Sequence, residues 1–185
     1  MNPRHFRAAQ LALLLASAGV APTWGSAQDQ RRGVPRGDYR NVDYDYEVRL
    51  PAGTSYEMSA APNPNHGFLI PLASGDTVWM NASYTDSATL RGAAAAERGY
   101  RPNCRETHRS NATLGGLHAL ELTFSCVPQS GGAKRTERVL MALRSPQRRG
   151  TIQYVVGVRT SVVGSSKASG TFRAVARGFR TIAAR

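Results

Sequence analysis

Residues 103–127 read NCRETHRSNATLGGLHALELTFSCV. In the second half, Leu120, Leu122 and Phe124 alternate with Glu121, Thr123 and Ser125. Apolar residues at a period of two mark a half-buried strand. The pair Gly115-Gly116 supplies the turn between this run and the one before it. Pairing Thr113 with Leu117 sets Cys104 directly opposite Cys126. The same register sets Arg109 against Glu121 and Thr107 against Thr123, both favourable cross-strand pairs. It also turns Glu106, His108 and Ser110 toward the face of Leu120, Leu122 and Phe124, a conflict that a bulge or an edge position relieves.

Working outward, Val139, Met141 and Leu143 alternate within 134–144, and Ile152, Tyr154, Val156 and Val158 within 151–163. Upstream, 66–72 and 77–84 read as a hairpin turned by Ser74-Gly75-Asp76, with Val78, Met80, Ala82 and Tyr84 on one side. Tyr44, Tyr46, Val48 and Leu50 share one face of a first strand that ends at Pro51-Ala52-Gly53. The spacing predicts two helices. One runs through Ala93–Ala96 to Gly99, with Asp86 or Ser87 as its cap. The other starts at Ser165 or Ser166 and buries Ala168, Phe172, Val175, Ala176 and Phe179, with a short closing strand toward Ile182. The expected fold is α+β: a central antiparallel sheet of about six to seven strands in a meander, flanked by two helices.

The N-terminus reads as a secretion signal over residues 1–27. Arg4 and Arg7 precede an apolar run from Ala8 to Ala21, and Gly25 and Ala27 suit a cut before Gln28. The expected location is therefore outside the cytoplasm, periplasmic or secreted. Residues 28–41 read as a disordered, polar leader and 42–185 as one domain. After the cut, no apolar run is long enough to span a membrane. In an exported chain the two cysteines, Cys104 and Cys126, are most simply one structural disulfide.

Chain 28–185 carries 22 basic and 12 acidic residues, a net charge of +10. Such a charge attracts polyanions, so an anionic polymer or lipid is one candidate partner. The basic clusters are Arg31/Arg32, Lys134/Arg135/Arg138, Arg148/Arg149 and Arg173/Arg177/Arg180. The last set repeats at helical spacing and predicts a basic ridge on the final helix. Arg173, Arg177, Arg180, Arg148 and Arg149 are thus the candidate polyanion contacts.

Signatures of catalysis are missing from the sequence. It has no H-x-H or H-E-x-x-H, no phosphate-binding glycine loop and no G-x-S-x-G elbow. His66, His108 and His118 have no ligand spacing, and Asp43, Asp45 and Glu47 suit a solvated strand face. No cofactor, metal or catalytic residue is expected. A binding or accessory domain for an unknown protein or envelope component is the first expectation. A polyanion-binding protein is the second. A hydrolase is the third, its site joining His66, or His108 with His118, to an acid and a serine only in three dimensions.

The element order adds one more indication. A strand ending in Leu50-Pro51-Ala52-Gly53 leads to a hairpin and a helix, then a long meander. Tyr154-Val155-Val156-Gly157-Val158 precedes a last helix with a Phe-Arg close over Phe172–Arg180. Over residues 42–183 this resembles the PsbP-like superfamily, named for an extrinsic subunit of photosystem II. The resemblance implies an antiparallel sheet flanked by helices, and members that mostly bind or stabilise other proteins. It transfers no site residue.

Overall fold

Alternating apolar residues expose one strand face to a core and leave the backbone to be satisfied by neighbouring strands. The computed structural model follows this rule. It describes residues 37–58, 66–128, 132–145, 150–161 and 166–182. The expected signal and residues 28–36 of the expected leader lie outside the described residues.

In chain order the elements are β1 (Tyr39–Asn41), β2 (Tyr46–Val48), β3 (Glu57–Met58), β4 (Gly67–Pro71), β5 (Thr77–Thr85), α1 (Leu90–Gly99), β6 (Cys104–Leu114), β7 (Leu117–Cys126), β8 (Arg135–Arg144), β9 (Thr151–Ser161), α2 (Ser166–Gly178) and β10 (Phe179–Thr181). Seven strands form one antiparallel sheet in the order β3-β4-β5-β9-β8-β7-β6. Strands β6 to β9 are the expected meander, and the hairpin of β4 and β5 joins it along β9.

The sheet has two cores. On one face Val78, Met80, Ala82, Leu140, Ala142, Ile152, Tyr154, Val156 and Val158 pack under α2 and a small sheet ordered β1-β2-β10. Helix α2 contributes the buried Ala168, Phe172 and Val175. On the other face Leu122, Phe124, Val139, Met141 and Val155 pack under Ala93 and Ala94 of α1. Two alanines in the contact let the helix axis approach the sheet closely.

The structure changes several expectations. Tyr44–Leu50 is not one strand: the chain turns over residues 42–45, and Asp45 takes a positive φ of 52°. The carbonyl of Asp45 accepts from the Ile182 amide at 2.9 Å and from Arg144 at 3.3 Å, which ties the turn to the end of the domain and to β8 of the central sheet. The strands on either side of the turn belong to the small sheet, not to the central one. β1 falls inside the expected leader, yet Tyr39 and Asn41 are buried, so the ordered domain already includes them. Helix α1 is capped by Thr89, whose hydroxyl accepts from the Gly92 amide, and not by Asp86 or Ser87.

The expected β6–β7 register holds only at the cysteine end, where Cys104 faces Cys126 and Glu106 faces Phe124. A bulge between Glu106 and His108 then shifts the pairing by one residue. Arg109 therefore faces Leu122, His108 faces Thr123, and Leu114 pairs with Leu117 across Gly115-Gly116. Both glycines sit at positive φ, 57° and 83°, as a two-residue hairpin turn requires.

Candidate functional site

The face of the sheet under α1 is only partly covered. Helix α1 packs on β7 and β8, and beside it Trp79, Asn81 and Ser83 of β5 and Arg159 of β9 keep part of their surface exposed. The result is a groove of about 690 Å³. Its floor is made by β5, β9 and β8. One wall is the end of α1 with the link through Tyr100–Asn103, and the other is formed by Cys104, Cys126, Val127 and Pro128. The disulfide Cys104–Cys126, expected from the sequence, joins the two strands at this wall.

Inside the groove an ion network runs from helix to sheet. Glu97 and Glu137 are only 7% and 6% exposed, so each carboxylate needs partners to offset its lost hydration. Glu97 continues the buried stripe of Ala93 and Ala94. It accepts from Arg101 one turn later and from Gln153 Nε2 on β9 at 2.9 Å. Glu137 extends the inward series of Val139 and Met141 on β8. Its Oε2 accepts from Arg101 Nε at 3.0 Å and its Oε1 from Arg159 Nε at 2.6 Å. Glu137 and Arg159 stand directly opposite on β8 and β9. Arg101 also lies 5.1 Å from the centre of the Phe124 ring, which adds a cation–π contact.

Trp79 makes the apolar part of the floor. A Cβ at position 157 would come within 2.2 Å of its indole, so glycine at 157 is what lets the ring lie against the sheet. Arg159 stands 5.9 Å from the ring centre. At the rim Tyr100 and Val127 are exposed, at 79% and 49%.

A second charged cluster marks the bulge. Residues three apart on a regular strand point to opposite faces; the extra residue puts Glu106 and Arg109 on one face. They pair through two bonds of 2.7 and 2.8 Å. Hydrogen bonding to Arg109 lowers the Glu106 pKa below the usual carboxylate range.

The residues singled out in the sequence separate across the molecule. Arg173, Arg177 and Arg180 are exposed. Arg173 and Arg177 lie on α2, on the face of the sheet away from the groove, whereas Arg180 lies on β10 opposite Glu47 and so is not part of a helical ridge. Arg148 and Arg149 fall outside the described residues. His66 bonds through Nδ1 to the Ala82 carbonyl at 2.8 Å, and its ring lies tilted against Tyr44, with centroids 5.1 Å apart. His108 and His118 are exposed on β6 and β7. Among the described residues, no histidine lines the groove. Among the described residues, no group of three or more His, Cys, Asp or Glu is placed to hold a metal. No helix among them is long and apolar enough to cross a membrane.

Sequence reasoning missed the groove's polar residues, Glu97, Arg101, Glu137 and Arg159. One signal was available: Glu97 and Glu137 each prolong an apolar series, and a carboxylate in that position must find a buried partner.

No protein-family profile matches the chain, and no curated protein does. Solved structures do match. LpqN of Mycobacterium tuberculosis, described as involved in cell envelope biogenesis, superposes with a TM-score of 0.56 at 15% identity, over 82% of this chain and 88% of LpqN. Cyanobacterial PsbP (CyanoP) from Synechocystis sp. PCC 6803 superposes with a TM-score of 0.53 at 16% identity, over 85% of this chain and 98% of CyanoP. A protein from Bacteroides thetaiotaomicron gives 0.51 at 11% identity, and this chain spans half of its length. The fold is PsbP-like, and the sequence resemblance noted above is borne out at that level.

Proposed function

We propose that this chain is an exported accessory domain that binds another protein of the cell envelope through the groove beside α1. The carrying observation is the groove itself: a concavity of about 690 Å³, floored by Trp79 and by charged side chains fixed in a hydrogen-bonded network. Preorganised polar groups in a concave site are suited to recognition, because little ordering remains when a partner arrives. LpqN, described as involved in cell envelope biogenesis, supports the envelope setting. The Cys104–Cys126 disulfide and the signal pattern over residues 1–27 support export. The purified exported protein is expected to begin at Gln28, which N-terminal sequencing reads directly.

The groove is tested by filling it. Asn81 is exposed on the floor, so Asn81→Trp blocks the groove without touching either core. Native protein is expected to capture a partner from the envelope of its own cell, and Asn81→Trp to lose it while melting at the same temperature. Equal capture by both proteins would overturn the proposal.

A second reading rests on the exposure of Arg173 and Arg177 on α2. In it the helix binds an anionic polymer or lipid surface. Binding to heparin or to anionic vesicles would then fall steeply with salt, and Arg173→Gln with Arg177→Gln would abolish it.

A further inference from the structure

The groove's charges are unequal in what they leave free. Both oxygens of Glu97 and both of Glu137 are already taken, by Arg101, Gln153 and Arg159. The acids therefore have nothing strong left to offer a ligand. The bases do. Arg159 is held by its Nε alone, and its side chain is 48% exposed. Its terminal amino groups are thus aimed and available among the described residues. Arg135, exposed on the same face of β8 two residues before Glu137, makes no ion pair among the described residues. A guanidinium fixed by a buried carboxylate has already lost much of its rotamer entropy, so it binds an incoming anion at smaller cost.

The rest of the groove is apolar at matching positions. The Trp79 ring lies beside Arg159, and Tyr100 and Val127 stand exposed at the rim. We propose that the groove binds an acidic segment of a partner polypeptide. Arg159 and Arg135 take its side-chain carboxylates, and Trp79, Tyr100 and Val127 take the apolar side chains between them. This rests on the groove being the partner site. An acidic glycan would also lay its C–H faces on Trp79 and Tyr100, but the aliphatic Val127 beside them is matched by apolar side chains and not by a sugar ring, so mixed acidic and apolar side chains fit the whole groove better.

Trp79 reports on the test. The sequence has two tryptophans, Trp24 and Trp79, so Trp24→Phe in the full chain makes Trp79 the sole indole. A synthetic peptide of alternating Glu and Val is titrated against it, beside a Gln-Val peptide and polygalacturonate. The expected result is a saturable change in Trp79 fluorescence with the Glu-Val peptide. Its affinity falls about tenfold in Arg135→Gln and in Arg159→Gln, as loss of one charge-paired contact predicts. It is unchanged in the double variant Arg173→Gln/Arg177→Gln. Arg135 has no ion-pair partner to lose among the described residues, so its variant answers even if Arg159→Gln is unstable. Three outcomes overturn the proposal: no saturable change with the Glu-Val peptide, an equal response to the Gln-Val peptide, or tighter groove-dependent binding of polygalacturonate. If Asn81→Trp still abolishes partner capture while the Glu-Val peptide fails, the groove stands as the partner site and its acidic ligand falls.

Discussion

At the scale of single residues, the groove depends on two positions where size or charge leaves little choice. Gly157 is the first. Any side chain there meets the indole of Trp79, since even a Cβ would stand 2.2 Å from two of its ring carbons. Gly157→Ala must lift the ring off the sheet. Overpacking of this kind costs about 1–3 kcal/mol. A lower melting temperature is expected together with a red-shifted Trp79 emission; an unchanged spectrum would show that the ring does not rest there. Glu137 is the second. It neutralises Arg101 and Arg159 at once, one oxygen to each. Glu137→Ala leaves Arg101, whose side chain is 13% exposed, without its anion on the sheet. Breaking a buried pair from one side costs about 3 kcal/mol or more. Arg101 also pairs with the buried Glu97, so all three charges must go together. Arg101→Met/Glu137→Met/Glu97→Gln leaves no stranded buried charge and is expected to lie closer to native stability than Glu137→Ala. Chemical denaturation of both variants beside the native protein measures the order.

At the scale of elements, the long strands were legible and their exact pairing was not. Period-two alternation located β5 and β7, which bury mainly one face, and also β8 and β9, which bury residues on both faces but keep one unbroken apolar series each, Val139-Met141-Leu143 and Ile152-Tyr154-Val156-Val158. The β6–β7 register was legible at the cysteines and lost beyond them. A bulge adds one residue without changing composition, and here it is fixed by the Glu106–Arg109 pair and the two-residue glycine turn, both of which are three-dimensional facts. The small sheet was hidden for another reason. β1, β2 and β10 are three residues each, too short for periodicity, and β10 pairs with β2 from the far end of the domain. The groove was hidden because it lies between elements: Glu97 comes from a helix, Glu137 and Arg159 from adjacent strands. The disulfide gives this level its prediction. Cys104 and Cys126 are 22 residues apart in sequence. Cross-linking a loop of that length removes unfolded-state entropy worth about 3 kcal/mol. Cys104→Ser/Cys126→Ser is expected to melt lower by that measure and to loosen the groove wall first. Faster amide exchange over Asn103–Arg105 than over Leu120–Leu122 would show the local effect, and uniform exchange would argue against it.

At the scale of the whole molecule, the small sheet, α2 and the central sheet meet around buried tyrosines. Tyr46 and Tyr154 are fully buried, and their rings lie 5.7 Å apart with Phe179 against both. Each hydroxyl is spent on a distant backbone: Tyr46 donates to the His66 carbonyl at 3.1 Å and Tyr154 to the Tyr44 carbonyl at 2.8 Å. Burial disfavours the phenolate, so both pKa values are raised above the ordinary tyrosine value. The sign of the consequence follows. In the unfolded chain these phenols release protons near pH ~10, whereas in the folded chain they hold them. The stability they contribute is therefore fully present below about pH 10 and is lost as pH rises further, because unfolding lets them ionise. In a Tyr84→Phe/Tyr100→Phe background, which removes the two exposed phenols, alkaline unfolding is expected to be cooperative, with the rise in phenolate absorbance coinciding with loss of sheet signal. The fully exposed chain would instead titrate smoothly. Tyr46→Phe removes one of the two groups while keeping the ring among Tyr39, Tyr154 and Phe179, so the alkaline transition should shift upward in pH relative to stability at neutral pH. A phenolate signal that rises well before the sheet is lost would mean that water reaches these rings in the native state, and the junction between the two sheets would then be less tightly closed than its buried side chains indicate.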